Sequence, residues 1–138
     1  MAHRIYLVDD DRFLLSLYAA KFKDADYAPT TFGGAEELLA QLRKDAASAS
    51  PPDAILLDLI MPGMDGFTAL ETIRKEGLAT NSKIIILSNE GQDAEVDRAK
   101  KLSADGYIVK ASAIPSEVLS EVARIMGARA PVVAPTTP

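Results

Sequence analysis

Five short apolar runs punctuate the chain: Arg4–Val8, Tyr27–Thr31, Ala54–Leu57, Lys83–Leu87 and Tyr107–Val109. All but Tyr27–Thr31 are rich in Ile, Leu and Val, and they lack the strict alternation of a half-exposed strand. Such runs suit strands buried on both faces. The stretches between them carry a helical period. Leu14, Leu17, Tyr18 and Phe22 form one stripe, Leu38, Leu39 and Leu42 a second, and Phe67, Leu70 and Ile73 a third. Val96, Ala99 and Leu102 make a weaker fourth, and Val118, Leu119, Val122, Ile125 and Met126 a fifth. Punctuation agrees with the period. Asp11 can cap the first helix, Asp65-Gly66 precedes the third, and Pro115 falls in the first turn of the last. Gly77, Gly106 and Gly127 lie where helices should end or hand over to strands.

Strands that alternate with helices predict a parallel sheet covered on both faces. Five such units fall short of the eight-unit barrel, which takes about 250 residues. An open, doubly wound α/β sheet remains. Lys44–Pro52, rich in Ala and Ser, reads as a longer exposed connection. Residues 128–138, ARAPVVAPTTP, are Pro-rich without periodicity and read as a disordered tail or linker.

Composition narrows the functions. The 138 residues suit one domain. The absence of cysteine removes thiol catalysis, thiolate zinc sites and disulfides. One histidine, His3, argues against a His-based triad or a multi-His metal site. A net charge of −5 argues against nucleic acid as a direct ligand. No apolar run approaches the ~20 residues that span a bilayer. The acidic N-terminus does not read as a signal peptide, so a cytoplasmic protein is expected.

In open α/β sheets the chemistry gathers beyond the carboxyl ends of the strands. The first run ends in Asp9, Asp10 and Asp11, the third in Asp58, the fourth in Ser88-Asn89 and the fifth in Lys110. The second ends in Thr31-Phe32, as an edge strand away from the site would. Asp9, Asp10 and Asp58 together would disfavour ionisation unless a cation neutralised them. Oxygen ligands without His or Cys point to a hard dication, Mg²⁺. Lys110 adds a charge for an anion, typically phosphoryl, and Ser88 a hydrogen bond to it. A carboxylate, a dication, an ammonium and a hydroxyl form a set able to accept a phosphoryl group on a carboxylate oxygen.

The motifs LVDDD at 7–11, LLDLIMPGMDG at 56–66, IILSN at 85–89 and DGYIVKAS at 105–112 carry a resemblance. Across about residues 3–126 the sequence resembles the CheY-like receiver domain of bacterial two-component response regulators. The resemblance implies a flavodoxin-like five-stranded sheet of order 2-1-3-4-5 with five helices, residues 1–127 forming the receiver. It implies that Asp58 becomes the acyl phosphate. Asp10, Asp58 and the backbone carbonyl of Ile60 would ligate Mg²⁺, with Asp9 acting through a bound water. Ser88 would hydrogen-bond the phosphoryl group and move toward it, Lys110 would ion-pair with it, and Tyr107 matches the switch aromatic, which would rotate inward as Ser88 moves.

The donor is then expected in trans, a phosphohistidine on a sensor kinase or phosphotransfer protein, and the chain itself is not an enzyme in the ordinary sense. A downstream effector protein or domain would read the fourth helix, fifth strand and fifth helix, through residues such as Arg98, Lys101, Tyr107, Glu117, Glu121 and Arg124, and a homodimer could form on phosphorylation. The chain would be a stand-alone regulator or a fragment cut near residue 130. Three departures from the family pattern stand out. Ala111 follows Lys110 where the family usually has Pro, so a trans bond and a reshaped Ala111–Ile114 loop are expected. Asn89 should narrow access to Asp58. Ile60 offers nothing to orient an attacking water, and both suggest slow dephosphorylation. The competing readings are a Mg²⁺-dependent phosphohydrolase, a flavodoxin-like cofactor binder and a degenerate receiver acting only as a protein-binding module. The first would need an acid at Ile60. The second would need a Gly- or Ser/Thr-rich loop where Asp9–Asp11 stand. Against the third, all five site residues are present.

Overall fold

The computed structural model describes residues 3–48, 51–89, 92–110 and 114–127. Strands β1 (His3–Val8), β2 (Tyr27–Phe32), β3 (Ala54–Asp58), β4 (Lys83–Ser88) and β5 (Gly106–Val109) alternate with helices α1 (Arg12–Asp24), α2 (Ala35–Ser48), α3 (Gly66–Glu76), α4 (Asp93–Lys101) and α5 (Pro115–Ile125). All neighbouring strands are parallel and their order is β2-β1-β3-β4-β5. This is the doubly wound α/β sheet expected, with β2 at one edge.

The near-continuous apolar runs have a direct cause. Successive side chains of a strand point to opposite faces, and both faces are covered. Tyr6, Val8, Ile55, Leu57, Ile84 and Ile86 pack beneath α2, α3 and α4. Ile5, Leu7, Leu56, Ile85, Leu87 and Ile108 pack beneath α1 and α5. The caps fall where the sequence placed them. The Asp11 carboxylate accepts from the Leu14 N–H at 3.0 Å, and that of Asp65 from the Thr68 N–H at 2.8 Å. Gly77 closes α3 at φ +68°.

Two expectations are corrected. On α1 the buried stripe is Leu15, Tyr18 and Phe22; Leu17 is exposed and Leu14 half-buried. Leu14, Leu15 and Leu17 all fit an apolar period, and the helix orientation that buries Tyr18 and Phe22 brings in Leu15. The fourth stripe is the weaker one expected: Ala99 is buried, with Val96 and, just past the end of α4, Leu102 half-buried. The stretch begun at Lys44 is helical as far as Ser48: α2 continues because Ala46 and Ala47 favour helix and the buried Asp45 finds partners. Tyr6 Oη donates to Asp45 Oδ2 at 2.5 Å and Gln41 Nε2 to Asp45 Oδ1 at 3.0 Å. Burial and that hydrogen bond push the Tyr6 phenol up to about 12. The tail 128–138 and the Lys110–Ala111 bond lie outside the described residues.

Candidate functional site

Strand register assembles the site. Val8 lies opposite Leu57, so Asp9, one residue beyond β1, comes level with Asp58 at the end of β3. Asp58 lies opposite Leu87, and Ser88 opposite Val109, so Ser88 and Lys110 reach the same rim. The ladder thus places four residues, far apart in sequence, within one row or so of each other. The β3–α3 connection is fixed by Gly66, whose N–H donates to the Leu59 carbonyl at 2.8 Å. A Cβ on Gly66 would stand 2.5 Å from the Asp58 carbonyl oxygen. Only glycine allows the chain to pass that close.

The charges converge as the sequence suggested. Lys110 Nζ stands 2.9 Å from Asp9 Oδ2 and 3.1 Å from Asp58 Oδ1. Asp9, Asp58 and Ser88 are buried, while Asp10 is exposed at the rim. Carboxylate oxygens of Asp9, Asp10 and Asp58 lie within 4.8 Å of one another. Burial, then the negative charge of Asp9, push the Asp58 carboxyl up to about 7 against the pull of Lys110, with Asp10 adding to the rise. Desolvation alone would depress the Lys110 ammonium, but Asp9 and Asp58 outweigh it and hold the lysine above its ordinary value. Three carboxylates thus face one ammonium.

A dication fits this donor set. Asp9 Oδ1 already accepts from the Asp11 N–H at 2.9 Å. Asp9 Oδ2 is buried and, among the described residues, faces the Lys110 ammonium at 2.9 Å. One ammonium beside three carboxylates leaves negative charge in the pocket that a cation would neutralise. The ligands are oxygen only, which favours Mg²⁺ over softer metals.

The remaining predicted residues occupy the surroundings. Ile60, in the loop after Asp58, presents a side chain that is 60% exposed. Asn89 is exposed beyond β4. Tyr107 is half-buried on β5 and its hydroxyl donates to Glu95 Oε1 at 3.0 Å. A cleft of about 410 Å³ opens beside the acidic pocket, lined by Leu59, Ile60, Met61, Phe67, Glu95 and Arg98 among others. Of the surface charges named for effector contact, several have local partners. Arg124 pairs with Glu121, Arg98 lies 3.6 Å from Glu71, and Glu117 accepts from the Ile114 N–H at 2.9 Å.

One residue near the site was not legible. Tyr18 reads as core from its helical period, and it is indeed buried. Yet its phenol, raised chiefly by burial, also feels Lys110, Asp9, Asp58 and Asp11. Nothing in a one-dimensional pattern separates a tyrosine that only fills a core from one whose ring end borders a charged pocket.

Comparison with known proteins agrees with this geometry. The family model of the response regulator receiver domain matches residues 5–123. Transcriptional regulatory protein BaeR of Escherichia coli O6:H1 is 35% identical over 125 residues, which is 89% of this chain and 48% of that protein. Transcriptional regulatory protein AruR of Pseudomonas aeruginosa is 32% identical over 112 residues, 80% of this chain and 44% of that one. The chain therefore spans about half the length of these relatives. Among solved structures, chemotaxis protein CheY4 of Vibrio cholerae aligns with a TM-score of 0.80 at 25% identity, covering 91% of this chain and 99% of that one. A CheY-like receiver domain protein of Methanospirillum hungatei shares the fold, with a TM-score of 0.80 at 23% identity over 92% of this chain and 95% of that one. With the acidic pocket standing where the register of a 2-1-3-4-5 sheet puts it, and a family model covering all but the ends of the sequence, the chain belongs to the receiver domain family of response regulators.

Proposed function

We propose that the chain is a phosphoacceptor that takes a phosphoryl group onto Asp58 and signals by changing conformation. The observation that carries this reading is the Asp58 carboxylate, buried at a strand end with Lys110 3.1 Å away and two further carboxylates beside it. An Asp58 oxygen attacks phosphorus in line, the bond between phosphorus and the donor imidazole breaks, and the imidazole leaves with the bond's electron pair. Lys110 neutralises the transferred oxygens and Ser88 donates a hydrogen bond to one of them. Asp9, Asp10, Asp58 and the Ile60 carbonyl would hold Mg²⁺, which when bound supplies charge neutralisation on the phosphoryl oxygens. Lys110 favours the ionised Asp58 that attacks, against the pull of its burial and of Asp9 and Asp10.

The donor is a phosphohistidine carried by a sensor kinase or phosphotransfer protein, since the chain's own His3 lies at the opposite, amino-terminal end of β1. Its docking face is apolar. The exposed large apolar residues Phe13, Leu17, Ile60 and Ile114 belong to the first two turns of α1, the loop after β3 and the approach to α5, all near the carboxyl ends of the strands. An effector protein or domain reads α4, β5 and α5, where Tyr107 acts as the switch side chain and phosphorylation can also promote pairing of two copies. Residues 1–127 form the receiver and 128–138 a Pro-rich tail or linker. No helix among the described residues is long and apolar enough to cross a membrane. Hydrolase chemistry on outside substrates finds no support, because apolar Ile60 stands where a second acid would be needed.

Intact-mass measurement after incubation with acetyl phosphate tests the reading. One phosphoryl adduct is expected with Mg²⁺, none with excess chelator, and none on Asp58→Asn. An adduct on Asp58→Asn of equal yield would overturn it.

A further inference from the structure

Outside the acidic pocket, the feature that calls for explanation is how α4 is held. Helices α1, α2, α3 and α5 each bury three or more side chains, whereas α4 buries Ala99 alone. Its N-cap, Gln92, makes no side-chain capping bond. Polar contacts do the holding instead. Arg98 lies 4.5 Å over the Phe67 ring and 3.6 Å from Glu71, and Arg74 donates to the Leu102 and Ser103 carbonyls just past the helix end. These contacts tie α4 to α3. A different contact ties it to the sheet: the half-buried Tyr107 hydroxyl on Glu95 Oε1 at 3.0 Å.

That contact sits between two routes into the site. Tyr107 pairs with Ile86, two residues before Ser88, and Lys110 follows β5 directly. Helix α4 begins shortly after Ser88-Asn89. A helix with little buried apolar surface responds to the loss of one polar contact more than a well-packed one does.

We propose that Glu95 is a latch: its carboxylate holds Tyr107 and α4 in the unmodified conformer and so opposes phosphorylation of Asp58. The proposal rests on the phosphoacceptor reading, in which Tyr107 turns toward Ser88 when the phosphoryl group arrives. Turning breaks the Glu95 contact. Any interaction made only in the unmodified conformer weakens binding of the phosphoryl group, or of its mimic, by the same factor.

The test compares wild type, Glu95→Ala, Glu95→Gln, Tyr107→Phe and the Glu95→Ala/Tyr107→Phe double variant. Two readouts are taken: amide exchange over residues 93–101 without any mimic, and affinity for beryllofluoride with Mg²⁺. Glu95→Ala should exchange faster over α4 and bind beryllofluoride about 3- to 10-fold more tightly, the range of one net hydrogen bond. Glu95→Gln, which can still accept from the phenol, should stay closer to wild type. In the Tyr107→Phe background, Glu95→Ala should change affinity no further. An unchanged affinity in Glu95→Ala, or an equal shift in both backgrounds, would overturn the latch. Wild type that fails to bind beryllofluoride would overturn the phosphoacceptor reading instead, and the exchange comparison would still decide whether Glu95 holds α4.

Discussion

At Asp58 two opposing effects meet. Burial and neighbouring carboxylates disfavour the charged form, while Lys110 favours it, and the balance leaves the carboxyl at about 7 against 3.8 in an unfolded chain. The folded, metal-free protein therefore holds a proton on Asp58 that the unfolded chain has lost. Its stability should fall as pH rises from about 4 to about 7 and level off above that. Melting temperatures in chelator at about pH 5 and about pH 7.5 should differ in this direction, and Asp58→Asn should remove most of the difference; equal slopes in the two proteins would contradict the assignment. Lys110 supplies the second residue-scale prediction. Removing it strands Asp9 and Asp58 without a counter-charge. Lys110→Ala should cost about 1–3 kcal/mol in denaturant unfolding without Mg²⁺, below the 3–5 kcal/mol of a fully buried pair because Asp58 can protonate. Excess Mg²⁺ should recover part of that loss.

Among the elements, the turn from β3 into α3 is the least tolerant. Gly66→Ala forces a methyl group against the Asp58 carbonyl, which is backbone and cannot swing aside. It should destabilise by about 1–3 kcal/mol, the usual cost of overpacking, and lower phosphoryl acceptance because the displaced atoms belong to Asp58 itself. Denaturation midpoints and adduct yield check the two effects. The elements also show what a sequence can carry. Strands β1, β3, β4 and β5 were legible to within a residue because both faces of the sheet are covered there and their runs are mostly apolar; β2, at the edge, keeps only Tyr27 and Phe32 buried, so its run is not the doubly buried strand expected. The site was legible because a parallel sheet puts all its strand ends on one rim, so polar residues after apolar runs had to meet. Other features depend on three dimensions. Leu15 was hidden among three leucines that share a period. Asp45 looked like a surface acid because its partner, Tyr6, is 39 residues away and reads as core. The Glu95–Tyr107 contact spans 12 residues across two elements and leaves no local mark.

For the molecule as a whole, folding places the pocket at one end of the sheet and the weakly buried α4 beside it, the arrangement on which the proposed coupling of pocket occupancy to the packing of that face rests. A dication that binds only the folded form should raise stability, by the logarithm of its concentration over its dissociation constant. The gain should be larger above about pH 7 than below, because Asp58 must give up its proton to act as a ligand. Thermal shifts with added Mg²⁺ across that range check it, and a gain greater at low pH would count against the site. The central claim is that one aspartate takes the phosphoryl group, and chemical trapping tests it most directly. Borohydride reduction of the freshly phosphorylated protein converts an acyl phosphate to homoserine, and peptide sequencing locates it. Homoserine at position 58 is the predicted result; homoserine at another aspartate, or none in protein that carries the phosphoryl mass, would contradict the account.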